Sequence, residues 1–245
     1  MHRLSSRMQT IRSILQVTIL LISSFNSVKA ENVIISEIMA DNESVLEDGH
    51  GNYSDWIEIK NPNPINFNLT GYFLTDDQSN LRKWIFPDQT IISPNGYLIV
   101  FATDQEDSNK TDPQGNPHTN FSLKSEGEYL ALISPGGEEI IQQFSPNYPS
   151  IPKDISYSKS GYFLEPSPGK INKDELVQGF VKDTKFSVDR GIYYEPFELT
   201  IISETEGSSI YYTMDGSVPD PSNGKIYNKA ISINSTTLIR AAAYK

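Results

Sequence analysis

Asp55-Trp56-Ile57-Glu58-Ile59-Lys60, followed at once by Asn61-Pro62-Asn63-Pro64, is the stretch on which the fold turns. Side chains alternate across a β-strand, so Ile57 and Ile59 point to one side and Trp56, Glu58 and Lys60 to the other. Proline fixes φ and asparagine tolerates positive φ, so the strand ends in a turn. The same unit, a short apolar or alternating run closed by turn residues, recurs along the chain. Val33–Met39, Tyr72–Thr75, Lys83–Phe86, Tyr97–Phe101, Tyr129–Ile133 and Ile140–Phe144 are all of strand length. Ser93-Pro94-Asn95-Gly96 punctuates the series, and Ser134-Pro135-Gly136-Gly137 joins its last two runs as a hairpin. No window after Ala30 long enough for a helix carries a 3.6-residue period. Many short strands divided by turns predict an all-β sandwich or barrel. One long polar loop, Thr103–Thr119, interrupts the series.

A composition break at Pro166-Ser167-Pro168-Gly169, followed by the charged stretch Lys170–Lys185, separates a second strand series. Phe186–Val188, Phe197–Ile202, Ser209–Thr213, Ile231–Ile233 and Leu238–Tyr244 are its strands, with Asp215-Gly216 as a tight turn after Thr213. The organisation read from this is a first domain over 31–172, a linker over 173–181 and a second domain over 182–245. About five strands are visible in the second domain, fewer than a full sandwich has, so it is expected to be incomplete.

The first thirty residues read as an address. Arg3, Arg7 and Arg12 precede the apolar run Ile14–Ile22, and Val28 and Ala30 stand at the −3 and −1 positions of a cleavage site before Glu31. That run is too short to span about 30 Å of hydrocarbon. A signal peptide over 1–30, cleaved after Ala30, is therefore expected, with a secreted or surface-displayed product and no membrane span after cleavage. Composition agrees: 13 Tyr and 11 Phe against 4 Met favour strands, and 15 Gly and 15 Pro supply turns. The formal net charge of −11 repels phosphate backbones, and no Lys/Arg cluster offsets it, so nucleic acid is excluded as a partner. With no cysteine, disulfides, thiolate catalysis and cysteine metal sites are excluded.

Little in the chain resembles an active site. No nucleophile elbow, phosphate-binding glycine loop or zinc signature occurs, and His50 and His118 read as separate surface residues. A pair of carboxylates for glycoside hydrolysis needs a walled cleft, which a thin sandwich rarely builds. Two acidic clusters have the oxygen chemistry of calcium sites: Asp41, Glu43, Glu47, Asp48 and Asp55, and then Asp104, Glu106, Asp107 and Asp112. Neither has EF-hand spacing. Asp41, Asp48 and Asp55 are the candidate ligands, against the plainer reading of solvated acidic loops. No other cofactor is implied. If Ile57 and Ile59 face the core, Trp56 is either a contact residue or the cover of a secondary core. In Tyr193-Tyr194 and Tyr211-Tyr212 one ring of each pair should face outward. Tyr194, Tyr211 and Tyr212 are thus candidates to stack on the C–H face of a sugar or on a partner protein.

Several of these runs together resemble the lamin-tail domain of secreted bacterial proteins. Val33–Ala40, Asp55–Asn61, Leu69–Asp77, Lys83–Pro87, Pro94–Leu98 and Asn120–Leu123 follow in that family's order, and Pro166–Asn172 is similar to its closing signature. The resemblance implies an immunoglobulin-like sandwich without catalytic residues. Gly191–Phe197, Ile210–Pro219 and Ile239–Ala241 resemble the small C-terminal β-domain of chitobiases and β-hexosaminidases. Exported proteins that pair the two often continue into a CotH-like kinase domain, none of which is present in these 245 residues. The expected molecule is an all-β tandem of two immunoglobulin-like sandwich modules. Its expected role is that of a non-catalytic interaction or spacer protein, with a protein or carbohydrate partner at a cell surface or matrix. The alternatives are a carbohydrate-binding accessory and the N-terminal part of an exported kinase.

Overall fold

The computed structural model describes residues 32–105, 111–173 and 175–245. The expected signal segment, and Glu106 and Asp107 of the second acidic cluster, lie outside them. Among the described residues every regular element is a strand. The first twelve are β1 (Ile34–Met39), β2 (Trp56–Lys60), β3 (Phe67–Asn68), β4 (Phe73–Thr75), β5 (Trp84–Ile85), β6 (Ile91–Ile92), β7 (Tyr97–Ala102), β8 (His118–Thr119), β9 (Leu130–Ile133), β10 (Ile140–Phe144), β11 (Ser156–Ser158) and β12 (Gly161–Phe163). Then come β13 (Thr184–Phe186), β14 (Phe197–Leu199), β15 (Ile201–Ser203), β16 (Ser209–Thr213), β17 (Lys225–Ile226), β18 (Ile231–Ile233) and β19 (Arg240–Tyr244). By contact the chain divides into one unit ending at residue 159 but including 165–172, and another made of 160–164 and 173–245.

In the first unit a larger sheet runs β11-β1-β2-β7-β8 and a smaller one β10-β9-β4-β5, with β3 and β6 as a separate ribbon. β2 is the centre of the larger sheet. Its partners Ile38 and Val100 flank Ile57, and Ile35 and Leu98 flank Ile59. Apart from the half-buried Leu98, these residues are buried. The smaller sheet contributes Leu74, Trp84, Leu130 and Leu132, likewise buried. The turn after β2 is held by Asn61, whose amide donates to the carbonyls of Ile65, Ile92 and Ser93. Its Oδ1 accepts the N–H of Asn63 at 3.0 Å. An asparagine there satisfies backbone groups that the crowded turn would otherwise leave unpaired.

The loop expected over Thr103–Thr119 contains β8, which pairs in parallel with β7, Phe101 opposite His118 and Ala102 opposite Thr119. Two residues are too few to show an alternation, so nothing in the pattern marks them. The Ser134–Gly137 hairpin joins β9 and β10 as the sequence predicts, with Gly136 and Gly137 both at positive φ.

The second unit holds three small sheets, β13-β15, β14-β18 and β17-β16-β19. Residue 200 interrupts the expected strand over 197–202, dividing it into β14 and β15, which pair with different partners. Within 175–245 the buried apolar side chains are Leu199, Ile201, Pro219 and Ala243. This is a thin core beside that of the first unit.

Candidate functional site

The side of β2 opposite Ile57 and Ile59 is not open. Trp56 is wholly buried and packs with Met39 and Phe101, its cross-strand neighbours, under Val45 and Leu46. The covering loop is tied down by Asn42. Its amide donates to the carbonyls of Leu46 at 2.7 Å and Ser54 at 2.8 Å, and its Oδ1 accepts the N–H of Val45. Trp56 is therefore the cover of a secondary core and cannot meet a sugar or a partner in this fold. That corrects its place among the contact candidates.

The acidic residues are spent mostly on the backbone of their own loops. Asp48 accepts the N–H groups of His50 and Asn52 at 2.9 and 3.0 Å and the Ser54 hydroxyl at 2.9 Å. Burial raises its pKa, but these hydrogen bonds outweigh burial and hold it below the usual carboxylate range. Asp112 accepts Gln114 and Asn116 N–H on one oxygen, and Gly49 N–H and the Asn116 amide on the other. There too the bonds outweigh burial and the pKa is lowered. Asp55 differs. Burial lifts it to about 6 against one bond from Asn42 N–H, and the charge of Asp41 adds to the rise. Asp41 gives its backbone carbonyl to Asp154 N–H. Among the described residues no three Asp, Glu or His side chains converge to hold a metal, so Asp41, Asp48 and Asp55 are not brought together as a ligand set.

His118 corrects another expectation. It is buried, not on the surface, with Nε2 3.7 Å from Asp112 and Nδ1 3.1 Å from the Thr103 hydroxyl. Its ring meets that of His50 at 5.8 Å, so two histidines 68 positions apart share one contact.

A second buried acidic feature lies outside the candidate residues named from the sequence. Glu37 on β1 and Glu58 on β2 stand opposite each other across the antiparallel pair, both fully buried. A register shift between Ile35 and Glu37 leaves Ser36 bulged beside them. Glu58 accepts the Ser36 hydroxyl at 2.6 Å and Gly169 N–H at 2.7 Å. Glu37 accepts the Ser156 hydroxyl, and Ser167 N–H at 3.1 Å.

In the second unit the tyrosines do not separate as expected: Tyr193 and Tyr194 precede β14 outside any strand and are both exposed, and Tyr211 and Tyr212 on β16 are both half-buried. Tyr193 donates its hydroxyl to Asp189 O and rests on Phe197, whereas Tyr194 is 93% exposed and Ile192 beside them 86%. Tyr211 is half-buried against Tyr244, edge to face at 5.7 Å. Tyr212 packs edge-on with Tyr227 and forms a wall of an open cleft of about 570 Å³, which Glu198, Ile226, Asn228, Lys229 and Ser232 also line. The Asp215-Gly216 turn is closed by the Asp215 carboxylate, which accepts Ser217 N–H at 3.0 Å, with Gly216 at φ 83°.

Residues 26–147 match the family model of the Lamin Tail Domain, and residues 188–245 that of the Chitobiase/beta-hexosaminidase C-terminal domain. The first is an immunoglobulin-like fold and the second a β-domain, in agreement with the sheets described above. The first match ends before Pro166–Asn172, the segment that meets Glu37 and Glu58. No curated protein matches the chain, and no solved structure does. No helix of the described residues is long and apolar enough to cross a membrane.

Proposed function

From a chain that carries a lamin tail domain ahead of a chitobiase/beta-hexosaminidase C-terminal domain, we propose a non-catalytic protein, exported and displayed outside the cell. Its first module acts as a rigid spacer and its second as the contact surface for a protein or carbohydrate at a cell surface or matrix. The observation that carries this reading is the contrast in cover between the two. The first module buries β2 on both faces and commits Asp48 and Asp112 to its own loops. The second leaves Ile192 and Tyr194 almost fully in solvent, with Val218, Ile226 and Leu238 also exposed. Exposed apolar side chains mark an interaction surface where they border a binding cleft, as Ile226 does beside Tyr212. Export rests on the leader pattern before Glu31. The absence of catalysis is supported by the burial of Glu37 and Glu58, which no substrate can reach.

The cleft beside Tyr212 favours carbohydrate as the partner. An aromatic and an aliphatic wall suit the C–H faces of a sugar ring. Glu198, Asn228, Lys229 and Ser232 offer acceptors and donors to its hydroxyls. The test is retention of the chain from Glu31 onward on insoluble polysaccharides and on immobilised surface proteins, with Tyr194→Ala and Tyr212→Ala beside it. Retention that either variant weakens at least several-fold, with unfolding unchanged for Tyr194→Ala, is the expected result. Binding that survives both variants, or no binding to any surface, would overturn the assignment of the contact to the second module.

A further inference from the structure

β1 and β2 present two acids at facing positions in otherwise apolar strands, Ile34-Ile35-Ser36-Glu37-Ile38-Met39 and Trp56-Ile57-Glu58-Ile59. The segment 166–172 lies over both. Ser167 and Gly169 aim their N–H groups at Glu37 and Glu58, respectively, and the Asn172 amide donates to Ser36 O at 3.2 Å. Lys170 N–H bonds to Ser167 O at 3.0 Å, and Gly169 takes φ 72°, so the turn itself directs these donors inward. Two carboxylates buried together cannot both be charged cheaply, since each disfavours ionisation of the other. No ion pair with a lysine or arginine reaches either one among the described residues.

We propose that Glu37 and Glu58 form a pH-sensitive latch on the segment 166–172, closed while at least one of the two carboxyls is protonated and loosened once both ionise, when solvating two charges outweighs the N–H bonds from Ser167 and Gly169. The groups around the pair permit this. β11 contributes Ser156, the closing segment Ser167, Gly169 and Asn172, and β1 Ser36, none of which titrates in the relevant range. Lys60, further along β2, favours ionised Glu58, but burial and the charge of Glu37 oppose it. Burial lifts Glu58 to about 7, and burial raises Glu37 as well against its hydrogen bonds from Ser156 and Ser167. A folded-state pKa above the unfolded one means that the folded chain binds the proton more tightly. The stabilisation is then complete on the acid side, below the usual glutamate value of 4.5, and disappears as pH climbs through about 7. Through Glu58 alone the folding constant should fall by roughly fifty- to a hundred-fold between pH 5 and pH 8. The segment so released is the one by which the chain passes to the residues of the second module.

The test follows unfolding of the chain and of its Glu58→Gln variant by tryptophan fluorescence across pH 5–8, with the Ser167 and Gly169 amide signals read by NMR. Asp55, also raised by burial, adds a loss of stability as pH rises to about 6 that both proteins share, so the difference between them isolates Glu58. The expected result is a wild-type Tm that declines through pH 7, with both amides losing protection, while Glu58→Gln holds its Tm and its amides. Parallel pH profiles for the two proteins would overturn the latch. If Glu58→Gln does not fold, carboxyl ¹³C titration of the wild type decides. A glutamate midpoint above 6 shared by the Gly169 amide supports the proposal, and glutamate midpoints all below 6 refute it.

Discussion

Replacing Asp112 by alanine tests whether the acidic loops of the first module are structural. Its carboxylate accepts four hydrogen bonds, of which those from Gln114 and Asn116 lie within one turn where water can replace it. The bond from Gly49 N–H at 2.8 Å is different, since it joins loops 63 residues apart at a site from which Asp112 is almost excluded from solvent. A hydrogen bond to a charged group is worth about 1.5–3 kcal/mol, and an unpaired buried donor costs a similar amount. The variant should therefore lose about 3 kcal/mol. For a unit of this size that is a fall in Tm of about 10 °C. Tryptophan fluorescence is the assay of choice, because both tryptophans of the chain, Trp56 and Trp84, are buried in the first module. Asp112→Asn keeps one acceptor oxygen and should lose about half as much. The lowered pKa sets the sign with pH: the carboxylate stabilises above the unfolded value near 3.8, and the advantage over alanine vanishes as pH drops through the lower folded value. Gly49→Ala attacks the same contact from the other side, since its Cβ would stand 2.7 Å from Asp112 Cγ. A fall in Tm under about 3 °C for Asp112→Ala would refute this reasoning. So would a rise in wild-type Tm on adding millimolar calcium that the variant loses, for then the carboxylate would be a ligand.

Two further substitutions probe the first module. Trp56→Ala empties the secondary core over β2 and should cost about 4 kcal/mol in urea unfolding, with Trp56→Phe costing less than half of that; a loss under about 1 kcal/mol for the alanine would mean that the loop over Trp56 does not hold it. Gly127→Ala and Gly115→Ala form a matched pair, both at positive φ. A Cβ at 127 would lie 2.2 Å from Tyr148 O, while one at 115 meets nothing within 4 Å. Backbone strain alone costs about 1 kcal/mol, so Gly115→Ala should lose only that and Gly127→Ala at least about 3 kcal/mol, and equal losses in thermal unfolding would contradict the clash.

What the sequence shows and what it hides divide along one physical line. Alternation and turn chemistry are local, and they locate β2, β10, β16 and β18 to the residue and the Ser134–Gly137 hairpin between its strands. Cover is not local. The pattern of Trp56–Lys60 says that Trp56 and Ile57 face opposite ways, but which side is dry depends on Val45 and Leu46 for one half and on residues 166–172 for the other. For the same reason Pro166-Ser167-Pro168-Gly169 reads as punctuation at the end of a domain, although its N–H groups meet acids 111 and 130 positions earlier. His118 is hidden likewise, because a polar segment that folds back under Asp112 has no apolar signature. One signal is nevertheless present. In a strand with a solvated face the residues beside an acid along that face are polar, yet Glu37 shares its face with Met39, and Glu58 has Trp56 on one side of it and only Lys60 on the other. An acid whose neighbours on its own face are apolar must either expose them to water or be buried with them. Burial requires donors, and the only backbone N–H groups free to serve a sheet face come from a segment laid across it. Such a strand therefore calls for donors beyond its own ladder, which here are the Ser36 and Ser156 hydroxyls and the inward-turned N–H groups of Ser167 and Gly169.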